Sequence, residues 1–371
     1  MESVTAIILI GSSGPGDIER MVATARMAAV SDTLRSLRSI PNIDRIIVAA
    51  PETDTVRLAL AREAGIVWDF DPADQPFHFG KRLAEIIQTR NLNRVIYIGA
   101  GSMPLYSAAD LDLAVAHVAQ ASKCAITNNI HSADWVAFSD AQSVIDIAHW
   151  LDRDNMLAWR LRETAHFDVQ SEAPSAKTRL DVDTPFDLQI LALHPDTPPH
   201  LRRAIKTAGI DPAKLREAAN VLRQPGSRVT LIGRVPLRAW QLLDSRQLWL
   251  RVLSEERGMV ANTRLARGEV FSFLADYVAH VGEEQFIARL VETSDIVLLD
   301  TRVYLAHRHC WPPAEERFAS DLGRADKIQD APLKRLIEAV AAAPIPILLG
   351  GHNVVSGGLY ALLDLMAQGV V

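Results

Sequence analysis

A chain of 371 residues is long for one core and, at roughly 100–200 residues per domain, points to two domains. Hydrophobic residues make up 49% and charged residues 23%, a balance that excludes a disordered chain. The formal net charge of −6 supplies no general basic field for a nucleic-acid backbone, so nucleic acid is not an expected partner.

Cys124 and Cys310 are the two cysteines, far apart and without CxxC spacing, which argues against a disulfide framework or a cysteine zinc site and for a reducing, cytoplasmic setting. The N-terminus runs into Val4–Ile10 with an acidic Glu2 and no basic region, so it reads as a first strand and not as a signal peptide. No apolar stretch reaches the roughly 18–20 residues of a membrane span, and no membrane partner is expected.

In chain order, the apolar strand Val4–Ile10 is followed by Gly11-Ser12-Ser13-Gly14-Pro15-Gly16 and an amphipathic run from Asp17 carrying Arg20, Met21 and Arg26. Strand, glycine-rich turn and helix can present backbone N–H groups to a phosphate, although the spacing is neither a P-loop nor GxGxxG; a tight connection whose glycines serve the turn is the other reading. A helix around Ser31–Ser39, a strand Ile46–Ala50, a helix Arg57–Ala64 and a short strand Ile66–Trp68 continue a βαβαβ alternation, which implies a parallel sheet with right-handed crossovers. Lys81 and Arg82 open the helix Phe79–Thr89 against the macrodipole preference, and read as a solvated face before anion contact.

Val95–Ile98 is a continuous apolar run, the pattern of a strand buried on both faces, and it breaks at Gly99 and Gly101 into a loop closed by Pro104. Ser107 and Asp110 then form a capping signal ahead of a helix from Leu111. Since ligands in open α/β sheets sit beyond the carboxyl ends of the strands, Gly99, Gly101 and Ser102 are candidate site residues. The strand Cys124–Thr127 leads into Asn128, Asn129, His131 and Asp134, a polar density suited to contacting an acceptor or, alternatively, an Asx-type network satisfying its own backbone. Helices at Ala141–Leu151 and Met156–Thr164 follow.

In Arg179-Leu180-Asp181-Val182-Asp183-Thr184-Pro185-Phe186-Asp187-Leu188, Asp181 and Asp183 alternate along an extended segment and Pro185 starts a helix. Two carboxylates on one side repel unless a cation or protons relieve them, and Mg²⁺ held by one or two carboxylates plus substrate phosphates is the natural answer.

These residues together resemble the nucleotide-diphospho-sugar transferase superfamily, and more narrowly its molybdenum-cofactor guanylyl- and cytidylyltransferase and 2-phospho-lactate guanylyltransferase branch. The resemblance rests on the glycine-rich loop, Phe79-Gly-Lys-Arg-Leu83, Ile98-Gly-x-x-x-Pro-Leu105 with Ser107-x-x-Asp-Leu111, and Asp181-Val-Asp-Thr-Pro-x-Asp-Leu188, and covers about Val4–Leu193. It implies a Rossmann-like three-layer αβα domain that binds a nucleoside triphosphate over the first loop with Mg²⁺, while a small-molecule acceptor attacks the α-phosphorus and pyrophosphate leaves.

Carried onto this chain, the resemblance implies nucleotide contacts at Gly11, Ser12, Ser13, Gly14, Arg26, Gly99 and Gly101, catalytic roles for Asp183, Ser102 and Arg20, and metal contacts at Asp183, Asp134 and Ser102. Asn128, Asn129 and His131 are candidate acceptor contacts. Two positions depart from the family: Ser102 stands where an aspartate is usual, and no lysine occurs between Met1 and Lys81.

His194-Pro195 and Pro198-Pro199 mark a boundary, giving domains 1–195 and 196–371, the second mostly helical and without a recognised family. Its expected elements are helices Leu201–Ala208, Pro212–Leu222, Leu237–Leu253 (with Trp240 and Trp249 as core), Val270–His280 and Glu284–Thr293, with strands at Arg228–Gly233, Ile296–Asp300 and Ile345–Leu349. Asp300, Arg302, Arg317 and Asp321 read as a buried ion-pair network or a second site. The Gly350-Gly351-His352-Asn353 turn reads as an anion site or a close-packed turn, and His307, His309 and Cys310 lack a zinc partner set.

The functional expectation is a Mg²⁺-dependent nucleotidyltransferase. A binding or regulatory protein for a nucleotide or nucleotide-sugar is the second reading, resting on Ser102 and the missing lysine. A glycosyltransferase using a nucleotide-sugar donor is the third, and self-association into a homo-oligomer is left open.

Overall fold

The computed structural model describes residues 2–53, 56, 59–61, 63–72 and 75–371. Two compact units interleave along the chain: one holds the residues up to Ser13, Thr24–Asp181 and Pro198–Leu201, the other Gly14–Ala23, Val182–Thr197 and Arg202–Val371. Arg57, Leu58 and Arg62 of the helix expected over Arg57–Ala64 lie outside the described residues.

In the first unit, strands β1 (Val4–Leu9), β2 (Ile43–Ala50), β3 (Val67–Phe70), β4 (Val95–Gly99), β5 (Cys124–Thr127), β6 (Trp135–Phe138) and β7 (Asp168–Ser171) form a seven-stranded sheet in the order β3-β2-β1-β4-β6-β5-β7. β6 runs antiparallel to β4 and β5, and the other pairings are parallel. The pleat explains the layers, because successive side chains point to opposite faces. Ile8, Val48, Ile96 and Ile98 pack with Leu34 and Leu37 of the first helix (Asp17–Arg38) and with Val115 and Val118 of the helix Ala108–Gln120. Ile7, Ile47 and Tyr97 pack the other way, against Phe79, Leu83 and Ile87 of the helix Phe79–Arg90 and Leu157 and Leu161 of the helix Leu157–Glu163. Helices thus cover both faces, which suits the near-continuous apolar runs of the central strands.

Two local signals behave as their chemistry requires. Ser107 caps its helix in a reciprocal box with Asp110, and Thr184 does so with Asp187 while Pro185 occupies the first turn. Arg82, by contrast, is not on a solvated face: it is buried, donating from Nε to Asp71 at 2.9 Å and from Nη2 to Asp69 at 2.5 Å. Carboxylates from the end of β3, Asp69, and from just after it, Asp71, neutralise its head.

The second unit carries a parallel sheet of β8 (Arg228–Gly233), β9 (Trp249–Ser254), β10 (Ile296–Asp300) and β11 (Ile347–Gly350) in the order β11-β10-β8-β9, set among helices. The expected helix Leu237–Leu253 is a helix only over Leu237–Asp244, and Gln247 at φ 58° turns the chain into β9. Apolar spacing ran on past the helix because Trp249–Leu253 is itself a strand-forming run. Trp240 and Trp249 are 49% and 71% exposed, so neither is core. No described helix is long and apolar enough to cross a membrane.

Asp300, Arg302 and Asp321 form buried ion pairs. Arg302 meets Asp321 through two bonds of 2.8 and 2.6 Å, and Arg234 meets Asp300 through two of 2.6 and 3.1 Å. Removing one partner leaves the other charge buried and uncompensated, which costs about 3–5 kcal/mol, whereas an apolar pair of similar volume is close to neutral. Asp321→Ala is therefore expected to lower stability to urea by about that amount, and Arg302→Met with Asp321→Leu to recover most of it.

Candidate functional site

At the topological switch point of the first sheet, β1 and β4 lie side by side and their carboxyl ends deliver Gly11–Ser13 and Gly99–Ser102 to the same edge of the sheet. Gly11, Ser12 and Ser13 are exposed, and nothing stands where a Cβ on Gly11 would point. Ala100 N–H donates to Leu9 O at 2.9 Å, tying the two strand ends together. Gly101 takes φ 91° and Met103 φ 61°, a left-handed conformation unfavourable for a residue with a long side chain. Ser102 is buried, and its hydroxyl donates to Gly99 O at 2.6 Å.

Beside this loop, Gly99 N–H donates to Asp134 O at 3.0 Å, and a Cβ at Gly99 would lie 3.2 Å from that oxygen. Asp134 accepts from Asn128 Nδ2 at 2.6 Å, and its N–H donates to Asn128 Oδ1 at 3.1 Å. Asn129 Oδ1 accepts from His131 N–H at 3.2 Å, so the polar stretch after β5 forms an Asx-type network while His131 itself is exposed. Asp154 accepts from the Tyr97 hydroxyl at 2.8 Å, and burial together with Asp154 and Asp134 drives the Tyr97 hydroxyl well above its ordinary range. Asp154 and Tyr97 were not found in the sequence, where nothing in Asp152-Arg-Asp-Asn marks one aspartate over the other. Arg26 lies in this unit on the first helix, half-buried.

The second unit contains Gly14, Arg20 and Asp183. Arg20 is exposed and donates to Pro15 O and Asp17 at the start of the first helix. Around it, Gly16 N–H donates to Glu19 at 3.2 Å, while Ile18 and Glu19 N–H donate to Glu315 Oε2 at 2.9 and 3.0 Å. A Cβ at Gly16 would collide with the Glu315 carboxylate, and one at Gly14 with that of Glu19. The amides after the glycine-rich turn therefore hold oxyanions, as the unsatisfied N–H groups and positive end of a helix favour. No sequence pattern pairs Glu315 with a residue 297 positions away.

Asp183 is exposed, two residues after Asp181 across a bend at Val182, so the segment is not the straight strand that alternation suggested. Its N–H and that of Thr184 donate to Asp187 at 2.9 and 2.6 Å, and Asn353 Nδ2 donates to the other Asp187 oxygen at 2.9 Å. Burial, and then the charge of Asp183, push Asp187 up to about 7. Burial and Arg234 push His352 down to about 4, keeping it neutral at physiological pH. Gly350 and Gly358 pack on Phe186, where a Cβ at Gly358 would meet Asn353 O at 2.8 Å, so close packing accounts for the glycines of this turn. Among the described residues, no group of three or more histidine, cysteine, aspartate or glutamate side chains is gathered for a metal ion. Cys310 instead donates to Asp330 at 3.1 Å.

Asp187 fixes the sign of one pH effect. Its folded value of about 7 lies above the ordinary 3.8, so its contribution favours the fold below about pH 4 and is lost as pH rises towards 7. Asp187→Asn is expected to flatten the stability–pH curve between those limits, as read from urea midpoints across that range.

No family model and no curated protein matches the chain. Among solved structures, a cytidylyltransferase from Leptospira borgpetersenii serovar Hardjo-bovis (strain JB197) is 15% identical, with 56% of this chain covering 96% of that one at a TM-score of 0.39. A nucleotidyl transferase from Methanothermobacter thermautotroptrophicus is 14% identical, over 48% of this chain and 91% of that one at 0.37. The Mycobacterium tuberculosis protein Rv0371c, solved with manganese, is 17% identical, over 55% and 99% at 0.33.

Proposed function

We propose that this chain is a Mg²⁺-dependent nucleotidyltransferase that moves a nucleoside monophosphate from a triphosphate to a small phosphorylated or hydroxyl acceptor. The observation that carries the reading is the oxyanion seat at the start of the first helix, where Ile18 and Glu19 N–H groups follow β1 and its glycine-rich turn and already hold a carboxylate. Backbone amides aimed at one oxyanion serve equally for a phosphate. In the reaction an acceptor oxygen bonds to the α-phosphorus, the α–β phosphoanhydride breaks, and pyrophosphate leaves with the bonding pair.

Mg²⁺ fits the carboxylates present. Asp183 is exposed and its charge opposes the ionisation of buried Asp187, a repulsion that a divalent cation relieves. With no larger acidic group among the described residues, one carboxylate would hold the ion and phosphate oxygens would complete its shell, the usual arrangement for Mg²⁺. When bound, the ion would neutralise charge on the phosphates. Gly11–Gly14, Gly99 and Gly101 let backbone approach the nucleotide, Arg20 and Arg26 supply cations, and Asn128, Asn129 and His131 are the acceptor contacts on this reading.

One observation favours a binding protein without turnover. The Ser102 hydroxyl is buried and already donates to Gly99 O, and it brings no negative charge to the position where the family resemblance implies an aspartate.

Thermal unfolding with a panel of nucleoside triphosphates separates the readings. A ligand at about 100 times its dissociation constant adds roughly 2.7 kcal/mol, and the enzyme reading expects this from a triphosphate with Mg²⁺, together with pyrophosphate release on adding acceptor. Asp183→Ala is expected to abolish that release and the Mg²⁺-dependent part of the shift while the protein stays folded. Release that survives the substitution removes Asp183 from the metal.

A further inference from the structure

The loop that follows β4 is built from two consecutive turns, and each leaves an amide over. Ser102 N–H donates to Gly99 O at 3.1 Å, and Tyr106 N–H donates to Met103 O at 3.1 Å. The bond of a turn uses the N–H of its fourth residue, so the third residues, Gly101 and Leu105, keep theirs outside it. Met103 stands between the two turns. Ala100 N–H is taken by Leu9 O at 2.9 Å, but the N–H groups of Gly101, Met103 and Leu105 meet no acceptor among the described residues. All three residues are buried, Met103 to 6% and Leu105 to 8% exposure. A buried backbone N–H without a partner is rare, because it has given up its bond to water and gained nothing in exchange. Three of them in one short loop call for an acceptor that the chain does not contain.

The conformation and charge of the loop indicate the kind of acceptor. Gly101 at φ 91° and Met103 at φ 61° are left-handed, and Ser102 between them is not. Such alternation curls successive N–H groups into a concavity that suits an anion. Met103 adopts this conformation with a long buried side chain, where glycine would do so without cost. No side chain from Gly99 to Leu105 carries a charge. The carboxylates beside Gly99 are engaged by other donors, Asp134 by Asn128 Nδ2 at 2.6 Å and Asp154 by the Tyr97 hydroxyl at 2.8 Å. An aspartate at position 102 would set a negative charge among the three amides and repel an anion there. Serine sets none, and its hydroxyl donates to Gly99 O at 2.6 Å.

We propose that the β4 loop is an oxyanion seat, in which the N–H groups of Gly101, Met103 and Leu105 bind a phosphate oxygen of a substrate directly. The proposal rests on the nucleotidyl-transfer reading above and deepens it, because it makes this loop a holder of phosphate and not of metal. Ser102 is the residue that permits the exchange, by keeping the seat free of negative charge. The phosphate belongs either to the nucleotide or to a phosphorylated acceptor, and both present the same oxygens to the amides.

The test is an amide NMR titration of the full chain, first in EDTA and then in excess Mg²⁺, with inorganic phosphate, tripolyphosphate, the common nucleoside triphosphates and ribose 5-phosphate. The seat predicts downfield shifts of the Gly101, Met103 and Leu105 amides that saturate together, in EDTA as well as in Mg²⁺. Movement with a triphosphate assigns the seat to the nucleotide, and movement with ribose 5-phosphate added to nucleotide-saturated protein assigns it to the acceptor's phosphate. Two variants then separate charge from packing. In EDTA, Ser102→Asp is expected to bind tripolyphosphate roughly tenfold more weakly or worse, while the uncharged Ser102→Asn, of the same shape, binds as the wild type does. The wild-type titration decides the matter even where neither variant folds. Three amides that stay still while others shift would leave them to an ordered water and overturn the seat, with the nucleotidyl-transfer reading intact. Binding by Ser102→Asp as tight as by the wild type in EDTA overturns the seat as well. No response of any amide to any probe overturns both the seat and that reading.

Discussion

Parallel strands send every carboxyl end, and the amide groups of whatever helix follows, to the same edge of a sheet, and this constraint organises both units. In the first unit it sets Gly11–Ser13 beside Gly99–Ser102, because β1 and β4 are neighbours while their connections go to opposite sides. In the second unit it sets Gly233 beside Asp300, since β8 and β10 are the neighbours that reverse the strand order there. The two switch points are filled differently. Nothing stands where a Cβ on Gly11 would point at the first, whereas at the second Asp300, paired with Arg234, stands where a Cβ at Gly233 would lie.

Buried charge is the second theme, and arginines neutralise several of the carboxylates involved. Arg82, Arg234 and Arg302 each sit close to the ends of strands, and each is met by carboxylates in paired or forked geometry. A guanidinium suits this role because it is always charged and presents several donors in a plane. The pairs add little net stability over apolar residues, yet each makes its own removal costly, so they fix which loop lies against which strand. Glu315 belongs to a different kind of contact. Its partners are the backbone amides of Ile18 and Glu19 and not a guanidinium.

Much of the architecture was legible in the sequence where the signal was local. Continuous apolar runs marked β1, β4, β8 and β10, and the Ser107 capping signal and Pro185 marked helix starts, because a few adjacent residues decide both. The helix predicted through Leu253 failed because apolar spacing alone does not separate a helix from the strand that follows it. β6 went unread because Trp135–Phe138 is only four residues long and follows a polar turn. The candidate site was legible only in part for the same reason. Gly99, Ser102 and Asp183 announced themselves by loop position, whereas Glu315 and Asp154 acquire their meaning from partners distant in the chain, at 297 and 57 positions.

The serine at 102 changes how charge must be balanced on the nucleotide reading. In the first unit Asp134 and Asp154 lie beside Gly99 of the β4 loop, and the carboxylate of each is engaged, Asp134 by Asn128 and Asp154 by Tyr97. They shape the loop and raise the Tyr97 hydroxyl's proton affinity, but the loop itself offers only a hydroxyl whose proton goes to Gly99 O. A divalent ion held by few protein charges takes most of its neutralisation from phosphate oxygens. Its affinity then rises and falls with that of the nucleotide, so ion and nucleotide are best bound as one complex. Whatever binds, the amides of Ile18 and Glu19 at the start of the first helix do not stand unsatisfied, because Glu315 accepts from both.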